Sequence, residues 1–185
     1  MAVFGRAYFV PLNGTPPIEL GLRPLSTTEP TRKVIEQAFA PFLDEGASVQ
    51  TVEDLLSTDG DLPMEPALVY LMGHAWIAGD GFRTAIKLRG VDQTVDSDQL
   101  LTLAGRLLPC GGLLIVDTCH AAALRRFLTL TAHPGLTAIF ASGADEAALE
   151  FPADAATRFA ITLRKVLNRH RRADQVDIVA MAIRD

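Results

Sequence analysis

Two short apolar segments, each followed by reactive side chains, constrain this chain more than any other feature. Residues 67–72 are apolar and lead into Gly73 and His74, and residues 113–116 are apolar and lead into the tetrapeptide Asp-Thr-Cys-His at 117–120. Each segment is too short to be a comfortable helix and is typical of a strand buried on both faces of a parallel sheet. Ligands and chemistry sit at the carboxyl ends of such strands. If the two strands are neighbours in register, we expect His74 and Cys119 to meet at one edge of the sheet.

Strand and helix signals alternate along the rest of the chain, which predicts an α/β fold with a mostly parallel central sheet of about six strands. No repeat or linker divides the sequence, so we expect one domain over residues 1–185. The last strand candidate ends almost at the final residue, so we also expect this domain to be part of a longer protein. Residues 75–81 are expected to be a turn-rich loop before a hairpin arm at 82–88. The strand candidates are 7–12, 47–52, 67–72, 113–116, 137–142 and 176–182; the helix candidates are 31–45 (kinked or ended early by Pro41), 97–108, 121–130 and one opening at Ala153 or Asp154.

Composition narrows the function classes. The chain has 185 residues, of which 49% are hydrophobic, and a formal net charge of −5, which argues against disorder and against a general affinity for nucleic acid. The basic cluster at 164–172 is interpreted as a solvated helix end. The sequence contains no apolar run of about 20 residues, so we expect no membrane span. Two cysteines without metal-site spacing, and no signal-peptide pattern, favour a reduced, cytoplasmic setting.

Cys119 and His74 are candidates for a nucleophile and its base. The thiolate is the reactive form of cysteine, and a nearby histidine or helix N-terminus favours it. A helix expected from about Ala121 would supply such N–H groups. The backbone N–H groups of Cys119 and Ala75 are candidate donors to the oxyanion of an acyl-transfer intermediate. Because cysteine is commonly inert core packing, spacing alone leaves a catalytic and a structural reading open.

The segments 71–74, Leu-Met-Gly-His, and 115–120, Ile-Val-Asp-Thr-Cys-His, resemble the caspase-like cysteine peptidases, above all metacaspases and bacterial caspase-like domains. In that family a Gly-His-Gly loop precedes an Asp-x-Cys-His-Ser-Gly motif, so the order of histidine and cysteine agrees. The resemblance covers residues 7–167 but is specific only around His74 and Cys119. It implies a three-layer caspase-like fold, His74 as general base and acid, and Cys119 as the nucleophile of an endopeptidase that forms a thioester.

Asp117 matches the acidic residue with which metacaspases bind a basic side chain before the scissile bond. The resemblance therefore implies Asp117 as a substrate-binding residue and cleavage after Arg or Lys, through a charge-assisted pair. The alternative is that Asp117 caps the turn between strand and helix. The chain departs from the family pattern at Ala75, which replaces a glycine, at Ala121-Ala122, which replace Ser-Gly, and at Met72, where a small polar residue is common.

Two functions from different classes follow. The first is a cysteine endopeptidase acting on a protein or peptide, with no cofactor; the acidic residues at 59–61 and 92–98 do not have the spacing of a calcium loop. The second is a catalytically degenerate docking or signalling module, motivated by the departures and serving further domains of the same chain or signalling and defence partners. A weaker third reading, a flavodoxin-like binding domain, lacks a Gly-rich phosphate loop, since residues 13–17 contain two prolines.

Overall fold

A central parallel sheet organises the fold. The computed structural model describes residues 4–23, 25–53, 65–79, 81–131, 135–148 and 155–169. Its strands are β1 (Arg6–Leu12), β2 (Val49–Thr51), β3 (Ala67–Gly73), β4 (Ala75–Ala78), β5 (Gly81–Leu88), β6 (Val91–Asp96), β7 (Gly112–Thr118) and β8 (Leu136–Phe140). Five of them form a parallel sheet in the order β2-β1-β3-β7-β8. The prediction of an α/β fold with a mostly parallel sheet is confirmed.

The described helices are α1 (Thr28–Phe39), α2 (Ser97–Gly105), α3 (Arg125–Thr131) and α4 (Arg158–Arg169). Pro41 ends α1 early, as predicted, because a proline cannot donate the next helical hydrogen bond; a 3-10 turn over Ala40–Phe42 follows. Asp96 begins α2 with a capping box, accepting from the backbone N–H of Gln99 while the Gln99 side chain accepts from the N–H of Asp96. The helix candidate at 97–108 is thus confirmed with an earlier end.

Two apolar cores lie on the two faces of the sheet, because successive side chains of a strand point to opposite faces. On β3, Val69 and Leu71 belong to the core beneath α2 and α3, whereas Leu68, Tyr70 and Met72 belong to the core beneath α1 and α4. All seven residues of β3 and all seven of β7 are buried. The two central strands therefore carry the continuous apolar pattern from which they were predicted.

A second, antiparallel sheet occupies the segment that was expected to be a loop. Strands β4, β5 and β6 pair in that order, with Ala75 opposite Thr84 and Ala78 opposite Gly81. The glycines at 79 and 81 made the segment read as irregular, but Gly79 instead has the positive φ of a tight hairpin turn. The expectation of a turn-rich loop at 75–81 was wrong, and the hairpin arm at 82–88 is confirmed as β5.

Other expectations are corrected or lie outside the described residues. The helix expected over 121–130 begins as a 3-10 turn over Ala121–Leu124, and α3 starts only at Arg125. The strand candidate at 176–182 and the helix start at Ala153 or Asp154 lie outside the described residues; α4 is described from Arg158 onward. Within the described part of the chain, no helix is both long and apolar enough to cross a bilayer.

Gly73 is needed because β1 and β3 approach each other closely beside it. A Cβ at position 73 would lie 2.4 Å from the Cβ of Leu12 and 2.7 Å from the Leu12 carbonyl oxygen, and Leu12 is its register partner. The clash involves backbone atoms, so a side chain here must separate the two strands. Since His74 is the next residue, such a shift would move the imidazole as well.

We therefore expect Gly73→Ala to lower the free energy of unfolding by about 1–3 kcal/mol through overpacking. Gly105→Ala in α2 is the matched control: a Cβ there meets nothing within 4 Å, and alanine favours the helix. Urea denaturation of both variants would measure the difference. Equal stability of Gly73→Ala and the wild type would contradict the close approach of β1 and β3.

Candidate active site

His74 and Cys119 follow the carboxyl ends of the two central strands. Strands β3 and β7 are parallel neighbours in register, and their last paired residues are Gly73 and Thr118. The prediction that the two strands are adjacent and in register is confirmed. The imidazole-bearing and thiol-bearing residues are therefore the first residues beyond the same edge of the sheet, on strands about 4.8 Å apart.

The His74 ring is oriented by a main-chain carbonyl. Its Nε2 lies 2.6 Å from the carbonyl oxygen of Arg23. A carbonyl oxygen only accepts hydrogen bonds, so we assign the proton of the neutral ring to Nε2. Nδ1 then carries the lone pair of a base, and no described residue forms a hydrogen bond with it. A base held by a third group in this way follows the logic of a catalytic triad.

The segment after His74 is fixed by the antiparallel sheet. Thr84 is fully buried in β5, and its hydroxyl donates to the His74 carbonyl at 2.6 Å. Ala75, a candidate oxyanion donor, is a buried strand residue that pairs with Thr84. Its backbone is thus set by strand pairing and by the Thr84 hydroxyl, whereas a turn-rich loop had been expected at this point of the chain.

Cys119 is half-buried, and its sulfur accepts a hydrogen bond from the backbone N–H of Ala148 at 3.3 Å. A thiolate accepts such a bond more strongly than a thiol does. Among the described residues, no hydrogen bond joins the His74 ring to the sulfur. Catalytic hydrogen bonds are often long in unliganded enzymes and tighten in the substrate complex.

The turn between Cys119 and α3 is braced by the segment after β8. His120 has a positive φ of 57° and directly precedes the 3-10 turn over Ala121–Leu124. Its backbone N–H donates to the Glu146 carbonyl at 2.8 Å, and its ring Nδ1 lies 3.0 Å from the Ala144 carbonyl oxygen. Ser142 accepts from the N–H of Ala121 and donates to the Thr118 carbonyl. These contacts hold the backbone on both sides of Cys119.

The source of positive backbone groups near the sulfur differs from the expectation. A helix starting at about Ala121 was expected to supply N–H groups to a thiolate, but a 3-10 turn intervenes and α3 starts at Arg125. The N–H of Ala148, from the segment after β8, is the donor instead. Neither Ala148 nor the Arg23 carbonyl was predicted, because both contribute backbone groups and leave no side-chain signal in the sequence.

Asp117 is buried on the same side of the sheet as α1 and α4. Its Oδ2 accepts hydrogen bonds from the hydroxyls of Tyr70 on β3 and Thr157 before α4. Thr157 in turn accepts from the N–H of Ala160, so its hydroxyl links the carboxylate to the first turn of the helix. Burial and the neighbouring carboxylate raise the pKa of Tyr70 well above its ordinary value, which keeps its hydroxyl a donor.

Two cavities open at this edge of the sheet. One, of about 350 Å³, is lined by Asp117, Ser142, Glu146, Arg158 and Phe159. The other, of about 500 Å³, is lined by His74, Met72 and residues of the segment after β1. Both volumes fall in the range of ligand-binding clefts, about 300–1,000 Å³. The candidate base thus borders one cavity, and the candidate substrate-binding carboxylate borders the other.

The remaining acidic groups do not assemble into a metal site within the described residues, where no three His, Cys, Asp or Glu side chains could hold an ion together. The acidic residues at 59–61 lie outside those residues. No protein-family model matches the chain, and no curated protein is similar enough to match. The resemblance to caspase-like peptidases therefore stays a prediction from the motifs around His74 and Cys119.

Tyr70→Phe should destabilise the protein, because the variant removes one hydroxyl donor from the buried Asp117 carboxylate. We expect a loss of about 1–3 kcal/mol in the free energy of unfolding. The raised pKa of Tyr70 means that the folded state holds this proton more tightly than the unfolded state. Its contribution is complete below the unfolded pKa of about 10 and is lost as the pH rises above it.

Denaturant unfolding between pH 7 and 11 would measure both effects. Tyr8→Phe is the matched control, since Tyr8 is also buried and, among the described residues, its hydroxyl is bonded by Arg6 alone, at a long 3.4 Å. A Tyr70→Phe variant that matched Tyr8→Phe at pH 7, and kept the same alkaline loss as the wild type, would rule out the Tyr70–Asp117 contact.

Proposed function

We propose that this protein is a cysteine endopeptidase in which Cys119 is the nucleophile and His74 the general base and acid. The observation that carries the proposal is the register of β3 and β7. Because the two strands are paired in register, His74 and Cys119 directly follow adjacent strand ends. The orientation of the His74 ring by the Arg23 carbonyl supports it, because that bond leaves Nδ1 as the basic nitrogen. A reduced, cytoplasmic setting suits a catalytic thiol and belongs to the proposal.

The reaction has two halves. His74 takes the thiol proton, the Cys119 sulfur bonds to the peptide carbonyl carbon, and the C–N bond breaks as His74 gives that proton to the leaving amine. Water then attacks the thioester, loses a proton to His74, and releases the acid while the sulfur regains a proton. The backbone N–H groups of Cys119 and Ala75 are the proposed donors to the oxyanion in both halves.

Cleavage after Arg or Lys is the proposed specificity. Asp117, Glu146 and Arg158 all line the 350 Å³ cavity, so its charged residues are two acids and one base, and their net charge favours a cation. Glu146 is exposed and accepts from the N–H of Gly143 through Oε2, which fixes its carboxylate at the cavity. Asp117 is already bonded by two hydroxyls, so a substrate guanidinium would add to that network.

Alkylation tests the thiol without a substrate. We expect iodoacetamide at pH 7 to label Cys119 about tenfold faster than Cys110, since a thiolate and not a thiol reacts. His74→Ala should slow labelling of Cys119 about tenfold and leave Cys110 unchanged. Peptide mapping by mass spectrometry separates the two sites. Equal labelling of both cysteines, unaffected by His74→Ala, would argue against an activated nucleophile.

Turnover tests the reaction. The full chain should hydrolyse peptides after Arg or Lys, and Cys119→Ala or His74→Ala should each lower kcat/KM by roughly a thousandfold or more. Asp117→Asn should lower kcat/KM for basic substrates by about 10- to 100-fold while leaving alkylation of Cys119 intact, because it removes the charge in the pocket and not the dyad. Fluorogenic peptides with Arg, Lys, Asp or Leu before the scissile bond would measure both.

The alternative is a catalytically degenerate module of the same fold that docks a partner or a further domain. The departures from the family pattern at Ala75, Ala121-Ala122 and Met72 motivate it, and Cys119 is not among the residues that line either of the two cavities described above. It predicts an unreactive Cys119 and no turnover of any peptide. Labelling of Cys119 together with turnover that is lost in Cys119→Ala would exclude it.

A further inference from the structure

The cavity beside His74 has a different character from the cavity beside Asp117. It measures about 500 Å³, and Leu12, Leu22, Leu25 and Met72 contribute apolar side chains to its wall. None of the described residues that line it is Asp, Glu, Lys or Arg. Its polar lining residues are Asn13, Thr15, Thr28 and His74, so a carboxylate or ammonium group entering it would lose hydration without meeting an oppositely charged Asp, Glu, Lys or Arg side chain, whereas an apolar side chain would not lose such hydration.

The outer wall of this cavity is unusually apolar for a surface. The 3-10 turn Ile18–Leu20 and the following residues include Ile18, which is 89% exposed, and Leu22, which is 37% exposed, and both line the cavity. Such exposed large apolar side chains, gathered at a concave site, are typical of a binding surface. An apolar ligand group would cover them.

The inner wall is held rigidly. The backbone N–H of Gly14 donates to the Ala85 carbonyl at 3.2 Å, and the Thr15 hydroxyl donates to Asp92. A Cβ at Gly14 would lie 2.4 Å from the backbone nitrogen of Ile86, so the segment after β1 lies directly against β5. The antiparallel sheet therefore supports the inner wall of the cavity, and a supported wall lowers the cost of ordering it on binding.

The chemistry of the proposed reaction decides which part of a substrate reaches this cavity. The acyl group stays on Cys119 after β7, and His74 after β3 protonates the leaving amine. The strand order places β1 on the far side of β3 from β7, and the cavity is built from the end of β3 and the segment after β1. The cavity thus lies on the His74 side of the scissile bond, where the residue that bears the amine must sit.

We infer that the cavity beside His74 binds an apolar side chain on the leaving-group side of the scissile bond, so that the enzyme prefers to cut between a basic and an apolar residue. This inference rests on the proposed function, because it assumes that His74 protonates the leaving amine. It assigns substrate specificity to Leu22, Ile18 and Met72, which sequence patterns did not mark as binding residues.

A peptide series tests the inference. Arg is kept before the scissile bond and the next residue is Leu, Gly or Asp, with a quenched fluorescent pair on the ends and cleavage sites mapped by mass spectrometry. We expect kcat/KM for Leu to exceed that for Asp by about 10- to 100-fold. Leu22→Asp and Ile18→Asp should each reduce that ratio about tenfold, with the cleavage site still after Arg.

Leu20→Asp is the matched control, because Leu20 belongs to the same turn and is 40% exposed but does not line the cavity. It should keep the wild-type ratio. Turnover with equal kcat/KM for Leu, Gly and Asp, or an unchanged ratio in both cavity variants, would overturn the inference and leave the proposed function standing. Absence of turnover of every peptide by the wild type would overturn both.

Discussion

The parallel register between β3 and β7 is the constraint on which the candidate site depends. Both strands are buried along their whole length, so a shift by one residue would turn each apolar side chain toward the wrong core. Because each core is closely packed, such an exchange of side chains between the two cores would be destabilising. The positions of His74 and Cys119 are inherited from this packing, since each is the first residue beyond a strand that cannot slide.

The parts of the fold that could be predicted are those in which burial imposes a recognisable pattern of apolar residues on the sequence. The two central strands, the strand at β1 and the early end of α1 at Pro41 all carry local signals that tertiary packing does not override. Strand β4 was missed because Gly79 and Gly81 suggested irregular structure, whereas a tight hairpin turn commonly contains a glycine. The start of α3 was placed too early because a run of alanines does not distinguish a 3-10 turn from an α-helix.

The candidate site also contains residues that could be predicted from the sequence and groups that could not. His74, Cys119 and Asp117 could be named from sequence because they break apolar runs with reactive side chains. The groups that hold them could not be named: the Arg23 carbonyl, the Ala148 N–H and the Thr157 hydroxyl come from distant segments. Their proximity depends on how the segments before α1 and after β8 fold over the sheet edge. No local periodicity reports that arrangement.

The hydrogen bond from His74 to Arg23 has a consequence for how such a site tolerates change. The accepting oxygen belongs to the main chain, so every amino acid at position 23 supplies it equally well. An alanine substitution at residue 23 would therefore leave activity unchanged, and so would other side-chain substitutions at this position. The orientation of the His74 ring depends only on the path of the main chain at residue 23. An insertion or deletion in this segment would therefore displace the ring, whereas a side-chain substitution would not.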